Sequence, residues 1–497
     1  MKKKGKSTQK GDKHESSITD LPSPIIVDIL LKLPIKGILV CKSVCKTWFS
    51  IVSDHQFAKQ QFAQAEPCAL LRTLDSTHVP DSRMLYLVEP KDCHNFDLGY
   101  CICDDEADFR CDRHMKLDNK LKIPLRNAEM VLSSEGGDAQ MGCLPNGPNF
   151  KIVNSCHGML FLSEPVSNEP VAVCNPVTGE YISLPMTKRA EEKTQYFVEC
   201  GFGFSPQTDQ YKVVRMFERW IGDPVMGMAY LNTASGPINY SKGIEIYTLG
   251  TAGSWKSIGD APFLYSSLAF STYLEGCIHW MISLEFSSTD YIFSFAKSSS
   301  TDYTDYIVSF NLENEQLQLF PSPPHEYDNS NDDDDVGMVG LSTKHNVSMG
   351  VLEDCLCICD ANYDPIYIWV MKEYGVRESW TTLFSIDNQL DQGWPYGLYQ
   401  PINYLKNGAV LMFHYLKCAV VCYDPERPTL KYLKIHGAES NFEIIVYVPS
   451  LISLKDAIIG DNAVVLNISS RCAGIKVQGE TKALSLAELR EMELDAN

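Results

Sequence analysis

Residues 18–48 read ITDLPSPIIVDILLKLPIKGILVCKSVCKTW, and this stretch decides how the N-terminal part of the chain folds. Pro22 and Pro34 each follow a leucine and mark helix boundaries, because proline lacks the backbone donor and clashes with the preceding helical turn. Ser23 and Pro24 suit the first positions of a helix. The pattern predicts two short apolar helices, the second reaching Trp48. Their apolar surface is too large for so small a unit to bury alone, which is typical of a docking surface.

The same stretch resembles an F-box, the helical module that attaches substrate receptors to the Skp adaptor of cullin-RING ubiquitin ligases. The matching positions are Leu21, Pro22, Ile29, Leu30, Leu33, Pro34, Val44, Cys45, Lys46 and Trp48. Val40 departs from the pattern, since such motifs usually carry a basic residue there. The alternative is an ordinary helical hairpin that packs on its own domain.

The resemblance implies that this segment binds a Skp-type adaptor through its apolar side chains. The predicted adaptor-binding residues are Leu21, Pro22, Ile25, Ile29, Leu30, Leu33, Pro34, Val44, Cys45 and Trp48.

Composition indicates a globular protein whose main partners are neither nucleic acids nor membranes. The 497 residues are 44% hydrophobic, and 63 acidic against 43 basic residues give a net charge of −20. An acidic chain is poorly suited to nucleic acid or anionic lipid, and no segment approaches the ~18 apolar residues of a membrane helix. The 18 cysteines show no regular framework and are expected to be reduced. These features predict a cytoplasmic or nuclear protein, or one present in both compartments.

From Pro67 onward the pattern changes to short strands. Eleven segments rich in β-branched and aromatic residues are bounded by Gly, Pro, Asn or Asp, as strands typically are. They are 84–88, 159–162, 172–176, 211–217, 244–249, 277–282, 306–310, 356–360, 366–371, 409–413 and 419–424. No long amphipathic helix interrupts them, so the sequence predicts an all-β domain.

A weak internal repeat organises these strands. Asn175, Tyr247, Phe310, Trp369 and Tyr423 align at equivalent positions, with a spacing at or above the ~50 residues of a kelch-type propeller blade. A single four-stranded blade cannot bury both of its faces, whereas a closed ring of blades does so and protects the strand edges. The sequence therefore predicts a small all-α unit followed by an all-β, kelch-like β-propeller of six or seven blades.

Longer motifs extend the family resemblance over most of the chain. The segments NSCHGMLFL from Asn154, GFGFSPQTDQYKVV from Gly201 and IYIWVMKEYGVRESWTTLF from Ile366 resemble successive motifs of the plant F-box associated domain. The resemblance covers residues 17–455, although residues 90–150 match poorly. It implies a kelch-like propeller whose surface recruits a target protein.

The predicted domains follow from these motifs. They are a disordered basic tail at 1–16, an F-box at 17–65, an F-box associated propeller at 66–455 and a C-terminal extension at 456–497. Within the extension, Ser485 and Glu488 form a capping-box pattern that predicts a short helix. The acidic segment 327–336 is interpreted as a mobile loop.

One cluster of cysteines and histidine raises the hypothesis of a zinc site. Thiolates and an imidazole within a dozen residues can close a tetrahedron around zinc. The candidate ligands are Cys101, Cys103, Cys111 and His114. Their spacing is not a standard finger pattern, so the alternative is a loop with incidental cysteines.

The sequence shows no catalytic signature. Cys355, Cys357 and Cys359 alternate along one strand face and are interpreted as buried packing residues. His157 and His279 are interpreted as hydrogen-bonded core histidines rather than catalytic ones. The chain has no phosphate-binding loop, no HExxH pair and no nucleophile elbow, so neither an enzyme nor a cofactor is predicted.

These features together predict the substrate-recognition subunit of an SCF-type (Skp-cullin-F-box) ubiquitin ligase. The expected partners are a Skp-type adaptor, through it a cullin and a RING protein, and an unknown protein substrate. Two alternatives stay open. One is a propeller enzyme, and the other is a non-degradative F-box scaffold or a glycan- or protein-binding module.

Overall fold

The structure is a computed structural model in which an N-terminal helical unit precedes a β-propeller. It describes residues 21–73, 84–88, 115–116, 122–124, 151–164, 167–185, 194–221, 241–251, 254–261, 271–282, 306–323, 346–361, 365–386, 397–404, 408–416, 418–426, 429–433, 435–436, 442–458 and 465–467. Several predicted features lie outside these residues. They are the basic tail 1–16, the acidic segment 327–336, the capping box at Ser485 and Glu488, and the candidate zinc ligands Cys101, Cys103, Cys111 and His114.

Four short helices form the N-terminal unit, and a fifth lies near the end of the described chain. They are α1 (Ser23–Leu31), α2 (Ile35–Cys41), α3 (Lys46–Val52), α4 (His55–Ala63) and α5 (Leu454–Ala457). α1 and α2 begin directly after Pro22 and Pro34, as the proline positions predict. The predicted second helix is wrong in extent, because residues 42–45 form a turn and α3 begins beyond them.

Helix α4 begins at a side-chain cap. Asp54 accepts hydrogen bonds from the backbone N–H groups of Gln56 and Phe57, at 2.9 and 3.1 Å. These bonds satisfy donors that the first turn of a helix leaves without an intrahelical partner. Asp54 is therefore the N-cap of α4.

The strands of the propeller are short and follow one another closely along the chain. They are β1 (Cys68–Thr73), β2 (Met84–Val88), β3 (Met115–Lys116), β4 (Lys122–Pro124), β5 (Lys151–Cys156), β6 (Met159–Ser163), β7 (Pro170–Asn175), β8 (Glu180–Ser183), β9 (Thr194–Ser205), β10 (Gln210–Ile221), β11 (Ser241–Thr248), β12 (Lys256–Gly259), β13 (Thr272–Leu274), β14 (Cys277–Ile282), β15 (Tyr306–Asn311), β16 (Gln316–Phe320), β17 (Val347–Leu352), β18 (Cys355–Asp360), β19 (Ile366–Met371), β20 (Trp380–Ile386), β21 (Tyr399–Tyr404), β22 (Val410–His414), β23 (Ala419–Asp424), β24 (Thr429–Leu433), β25 (Ile435–His436), β26 (Phe442–Tyr447) and β27 (Leu466–Asn467). A strand is present at each of the eleven predicted positions.

Most strands pair into sheets in sequence order. Sheet 1 is β26-β1-β2-β4, sheet 2 is β27-β8-β7-β6-β5, sheet 3 is β12-β11-β10-β9, sheet 4 is β13-β14-β15-β16, sheet 5 is β17-β18-β19-β20 and sheet 6 is β21-β22-β23-β24, while β25 and β3 form a separate two-stranded parallel sheet. In sheet 1, β26 from the end of the propeller pairs with β1 from its beginning. Their register runs from Cys68 opposite Tyr447 to Thr73 opposite Phe442.

The inner strands of these sheets lie side by side. β26, β5, β9, β13, β17 and β21 each contact the next, and β21 contacts β26. The five aligned repeat positions, Asn175, Tyr247, Phe310, Trp369 and Tyr423, all lie on the third strand from the centre of their sheets. The predicted propeller is therefore present.

The predicted count of six or seven blades needs a correction. The described residues form five regular four-stranded sheets, which is fewer than predicted. Sheet 2 differs because a fifth strand, β27, pairs with β8 at its outer edge.

Polar side chains join neighbouring inner strands. Asn154 on β5 donates to the carbonyl oxygen of Phe202 on β9 at 2.7 Å and accepts from the backbone N–H of the same residue at 3.1 Å. Gln400 on β21 donates to the carbonyl oxygen of Met349 on β17 at 2.8 Å. These bonds satisfy inner-strand backbone groups that no sheet ladder reaches at these points.

The apolar clusters lie between adjacent sheets. Cys357 and Cys359 pack with side chains of sheet 6 such as Val410 and Met412, and Cys355 packs against the same cluster. Cys357 and Cys359 are therefore buried packing residues, as the sequence predicts, whereas Cys355 is half-buried. Burial raises the pKa of the Cys357 thiol to about 12, so this thiol stays protonated and unreactive.

Two ionic contacts connect sheet 3 to its neighbours. Arg215 on β10 is fully buried and donates to Glu169 of sheet 2 at 2.8 Å and to Glu245 on β11 at 2.7 Å. On the other side, Glu315 of sheet 4 accepts from Lys212 at 3.0 Å and from Lys256 at 2.7 Å. Partial burial opposes ionisation of Glu315, but the two lysines outweigh it and lower the pKa of the carboxyl.

We expect Glu315→Gln to destabilise the propeller at neutral pH and to have little effect in acid. A carboxyl whose pKa is lower in the folded than in the unfolded chain stabilises the folded state when the pH is above the pKa of the unfolded chain. This stabilisation is lost as the pH falls through the pKa of the folded chain. At pH 7 the free energy of unfolding should fall by about 1–3 kcal/mol, as for a lost hydrogen bond to a charged group. Urea unfolding at pH 7 and near pH 4 measures the difference.

Glu313→Gln is the matched control for this prediction, because Glu313 lies in the same turn and is the same residue type. Among the described residues its carboxylate forms no ion pair. An equal loss of stability in both variants, or a Glu315 effect that does not shrink in acid, would contradict the role assigned to Glu315.

Candidate functional site: an apolar docking patch

Some apolar side chains of the helical unit are buried and others are exposed. Ile26 and Leu30 of α1 are 2% and 0% exposed, whereas Ile25 and Ile29 are 46% and 38% exposed. Each pair is separated by four residues, so each lies along one side of the helix. The buried pair packs with side chains of the other helices, among them Trp48 and Val52.

The exposed set forms what we call the docking patch. It consists of Leu21, Ile25, Ile29, Val40 and Val44. Five of the nine large apolar side chains that are exposed in the described part of the chain therefore lie within 24 consecutive residues. So dense a group of exposed apolar residues is typical of a binding surface.

The structure divides the predicted adaptor-binding residues into three groups by exposure. Leu21, Pro22, Ile25, Ile29 and Val44 are exposed, Leu33, Pro34 and Cys45 are half-buried, and Leu30 and Trp48 are buried. The two buried residues support the patch from beneath. Val40, which the sequence pattern marks only as a departure, is exposed and belongs to the patch, and its position on α2 becomes visible only once the helix is placed.

The propeller holds the helical unit through the segment that follows β26. We call residues 448–458 the strap. Leu451 packs against the core of the helical unit and against a second cluster, in which Ile35 and Leu39 of α2 meet Leu70 of β1 and Tyr447 of β26. The helices and the propeller thus share apolar packing through the strap.

Gln61 of α4 joins the helical unit to the strap by two hydrogen bonds. Its amide nitrogen donates to the carbonyl oxygen of Pro449, and its amide oxygen accepts from the backbone N–H of Leu451, both at 3.3 Å. The side chain is 6% exposed, so the amide is buried with both ends paired. Sequence analysis did not identify Gln61, because its partners lie almost 390 residues further along the chain.

Sheet 2 holds the other side of the strap. Asn175 donates to the carbonyl oxygens of Ser450 and Ile452 at 3.0 and 2.8 Å. Glu180 accepts from the backbone N–H of Leu454 at 2.7 Å. The strap therefore lies between α4 and sheet 2 with its main chain paired on both sides.

The turn between β5 and β6 lies under α4. The rings of Phe62 and His157 are 5.5 Å apart, and the His157 Nδ1 atom is 3.1 Å from the hydroxyl of Tyr211. Gly158 has φ of +76°, and a methyl group there would lie 2.2 Å from the Cβ of Ser450, so only glycine fits. Burial lowers the pKa of His157 to about 4, which keeps its ring neutral at pH 7.

His279 is also a structural histidine. Its side chain is fully buried, with Nδ1 3.1 Å from the Thr272 carbonyl oxygen and Nε2 2.8 Å from the Tyr374 hydroxyl. Burial lowers its pKa to about 4, although the bond to Thr272 acts in the opposite direction. Both histidines thus have the core role that the sequence predicts.

The chain matches two family models in sequence. Residues 126–454 match the F-box associated beta propeller domain, and residues 18–60 match the F-box domain. The chain belongs to the F-box associated β-propeller family. The docking patch and the four helices beneath it are therefore the F-box of this protein.

Curated relatives come from Arabidopsis thaliana. F-box protein At3g07870 is 26% identical over 87% of this chain and 92% of its own length. F-box protein CPR1 is 23% identical over 87% of this chain and 88% of its own length. The F-box/kelch-repeat protein At3g23880 is 21% identical over 88% and 96% of the two chains. The similarity therefore extends over the F-box and the propeller together.

Neither a metal-binding cluster nor a membrane-spanning helix is found among the described residues. Within them, no group of three or more His, Cys, Asp or Glu side chains is arranged to hold a metal ion. None of the helices that the structure describes is both long enough and apolar enough to cross a membrane. The zinc hypothesis concerns residues outside this set and stays a prediction.

We expect Gln61→Ala to loosen the F-box from the propeller. The substitution leaves the Leu451 N–H and the Pro449 carbonyl unpaired in a buried position, which costs about 1–3 kcal/mol. Thermal unfolding should begin at a lower temperature than in the unmodified chain. Limited proteolysis should cleave the chain between α4 and β1 after a shorter time. Gln60→Ala is the control, because Gln60 is the same residue type, adjacent and exposed. Equal behaviour of the two variants would show that the buried amide does not position the F-box.

Proposed function

We propose that this protein is the substrate-recognition subunit of an SCF-type ubiquitin ligase. The observation that carries the proposal is the docking patch, an exposed apolar surface on a module that matches the F-box domain. In this proposal the patch binds a Skp-type adaptor, which connects the chain to a cullin and a RING protein. The propeller binds the protein to be ubiquitinated.

The proposed mechanism is proximity rather than chemistry by this chain. A receptor that holds a target on the ligase scaffold raises the concentration of the target's lysines near the charged ubiquitin-conjugating enzyme. Joining the F-box to the propeller through Gln61 and the strap supports this role, since it fixes the distance between the two binding surfaces. The chain itself then performs no covalent step.

A non-degradative scaffold is the second candidate function. Such a protein would bind the same adaptor and a target, but the amount of target would not rise when the proteasome is inhibited. Measuring target abundance with and without a proteasome inhibitor separates the two.

We expect Ile25→Asp to abolish adaptor binding and to leave the fold intact. Ile25 is 46% exposed, so a carboxylate there stays solvated in the free protein but would be buried without a partner in the complex. Adaptor affinity should fall at least tenfold in a binding assay with purified Skp-type adaptor. Leu33→Asp is a poorer test, because Leu33 packs against the core of the helical unit and its loss would also destabilise the F-box.

Gln60→Asp is the matched control, since it places the same charge on α4, which carries none of the patch residues. The proposal predicts normal adaptor binding for this variant and an unchanged unfolding temperature for both. If Ile25→Asp binds the adaptor as tightly as the unmodified chain, the patch is not the adaptor surface and the proposal fails.

A further inference from the structure

The docking patch lies in a basic part of an acidic protein. Residues 21–53 contain four lysines and a single acidic residue, Asp28, whereas the whole chain has a net charge of −20. The lysines are Lys32, Lys36, Lys42 and Lys46. An apolar surface with basic surroundings favours an occupant that combines apolar and acidic side chains.

The four lysines are close to the patch residues. Lys32 follows Ile29 by three residues at the end of α1, so both lie on the same side of the helix. Lys36 precedes Val40 by one turn of α2. Another lysine lies two positions to either side of Val44. The basic groups therefore border the exposed apolar side chains.

A segment late in the sequence has the complementary composition. We call residues 484–495, LSLAELREMELD, the C-terminal segment. Its capping-box pattern predicts a short helix. In such a helix Leu486, Leu489 and Met492 share one side, because they are spaced three residues apart. Four acidic residues and one arginine give the segment a negative charge.

The chain approaches the F-box before it reaches the C-terminal segment. β27 pairs with β8 at the outer edge of sheet 2, with Leu466 opposite Tyr181. Tyr181 packs against the apolar cluster that includes Ile35 and Leu39 of α2. Val40 of the docking patch directly follows Leu39. The edge that β27 covers therefore borders the helix that carries part of the patch.

The strap holds the same edge against the F-box. Glu180, which lies opposite Asn467 of β27, accepts a hydrogen bond from the hydroxyl of Ser453 at 2.9 Å. Asp456 of α5 lies 3.3 Å from the Nδ1 atom of His55 at the start of α4. The chain therefore leaves β27 beside the helical unit and not at a distant blade.

The remaining length of chain suits an intramolecular contact. Seventeen residues separate Asn467 from Ser485. A chain of this length spans up to about 60 Å when it is extended, whereas the nine residues of α1 form a helix of about 14 Å. A tethered segment can have an effective concentration in the millimolar range, so even weak binding would keep it on the patch.

Charge decides between the C-terminal segment and the basic tail as the occupant. Residues 1–16 are closer to the patch in sequence, but they contain six lysines. Like charges repel, so the lysines that border the patch disfavour the basic tail and favour the acidic segment.

We propose that the C-terminal segment binds the docking patch as a short helix and competes with the adaptor for it. This inference rests on the proposed function and concerns the regulation of the same surface. The apolar side of the helix contacts the exposed apolar side chains, and its carboxylates face the bordering lysines. The apparent adaptor affinity is then the intrinsic affinity reduced to the fraction of molecules whose patch is uncovered.

The first test measures the adaptor affinity of the chain with and without the C-terminal segment. We expect deletion of residues 484–495 to raise the affinity for purified Skp-type adaptor at least fivefold in isothermal titration calorimetry, because every patch is then uncovered. Glu491→Lys should raise the affinity at least twofold, since it reverses a charge that faces the lysines. Glu480→Lys is the matched control, because it makes the same change outside the segment and should leave the affinity unchanged.

The outcomes of this test separate the inference from the proposed function. Equal adaptor affinity of the intact and the shortened chain overturns the inference and leaves the proposed function standing. If neither chain binds the adaptor, the proposed function fails and the inference fails with it. If the intact chain sediments as a dimer and the shortened chain as a monomer, the segment covers the patch of a second copy, and the intramolecular contact is overturned.

The second test detects the contact without the adaptor. A fluorescein-labelled peptide of residues 484–495 is titrated against the shortened chain by fluorescence polarisation. We expect Ile25→Asp in the shortened chain to weaken peptide binding at least tenfold, because the contact would bury its carboxylate without a partner. A peptide of the same composition in scrambled order is the control. No binding of the peptide, or binding that Ile25→Asp and scrambling leave unchanged, overturns the contact with the patch.

Discussion

The pairing of β26 with β1 is the contact on which the rest of the structure depends. It joins Cys68 to Tyr447 across almost the whole propeller sequence, and it is the ladder by which the chain closes the ring. Without it, β26 and β1 would each expose an unpaired edge. Because the two strands are so distant in sequence, the entropy of closing the loop between them opposes the contact until the sheets between have formed.

The position of the F-box follows from this closure. Helix α4 leads into β1, and the strap leaves β26 at the same end of sheet 1, so the two segments emerge side by side. Gln61 and Leu451 then connect them by hydrogen bonding and apolar packing. The same contact that closes the propeller therefore fixes the direction in which the docking patch is presented.

Patterns within short segments of the sequence predicted the features of the fold that such segments determine by themselves. Pro22 and Pro34 set the starts of α1 and α2, and the five aligned repeat positions identified the third strand of five sheets. Alternation of cysteines predicted the burial of Cys357 and Cys359, since period-two spacing fixes a strand face without reference to the rest of the fold. The family resemblance added the order of the domains.

Contacts between residues that are distant along the chain could not be predicted from the sequence. The turn at residues 42–45 divides a helix whose apolar pattern is continuous, and Trp48 beyond the turn packs in one cluster with Ile26 and Leu30 of α1. β26 has the sequence FEIIVY, which is typical of a strand. No pattern within this segment specifies that it pairs with β1. The length of β9 and β10 was likewise missed, since the predicted strand at 211–217 stopped where the apolar pattern weakens, while the ladder continues to Ile221.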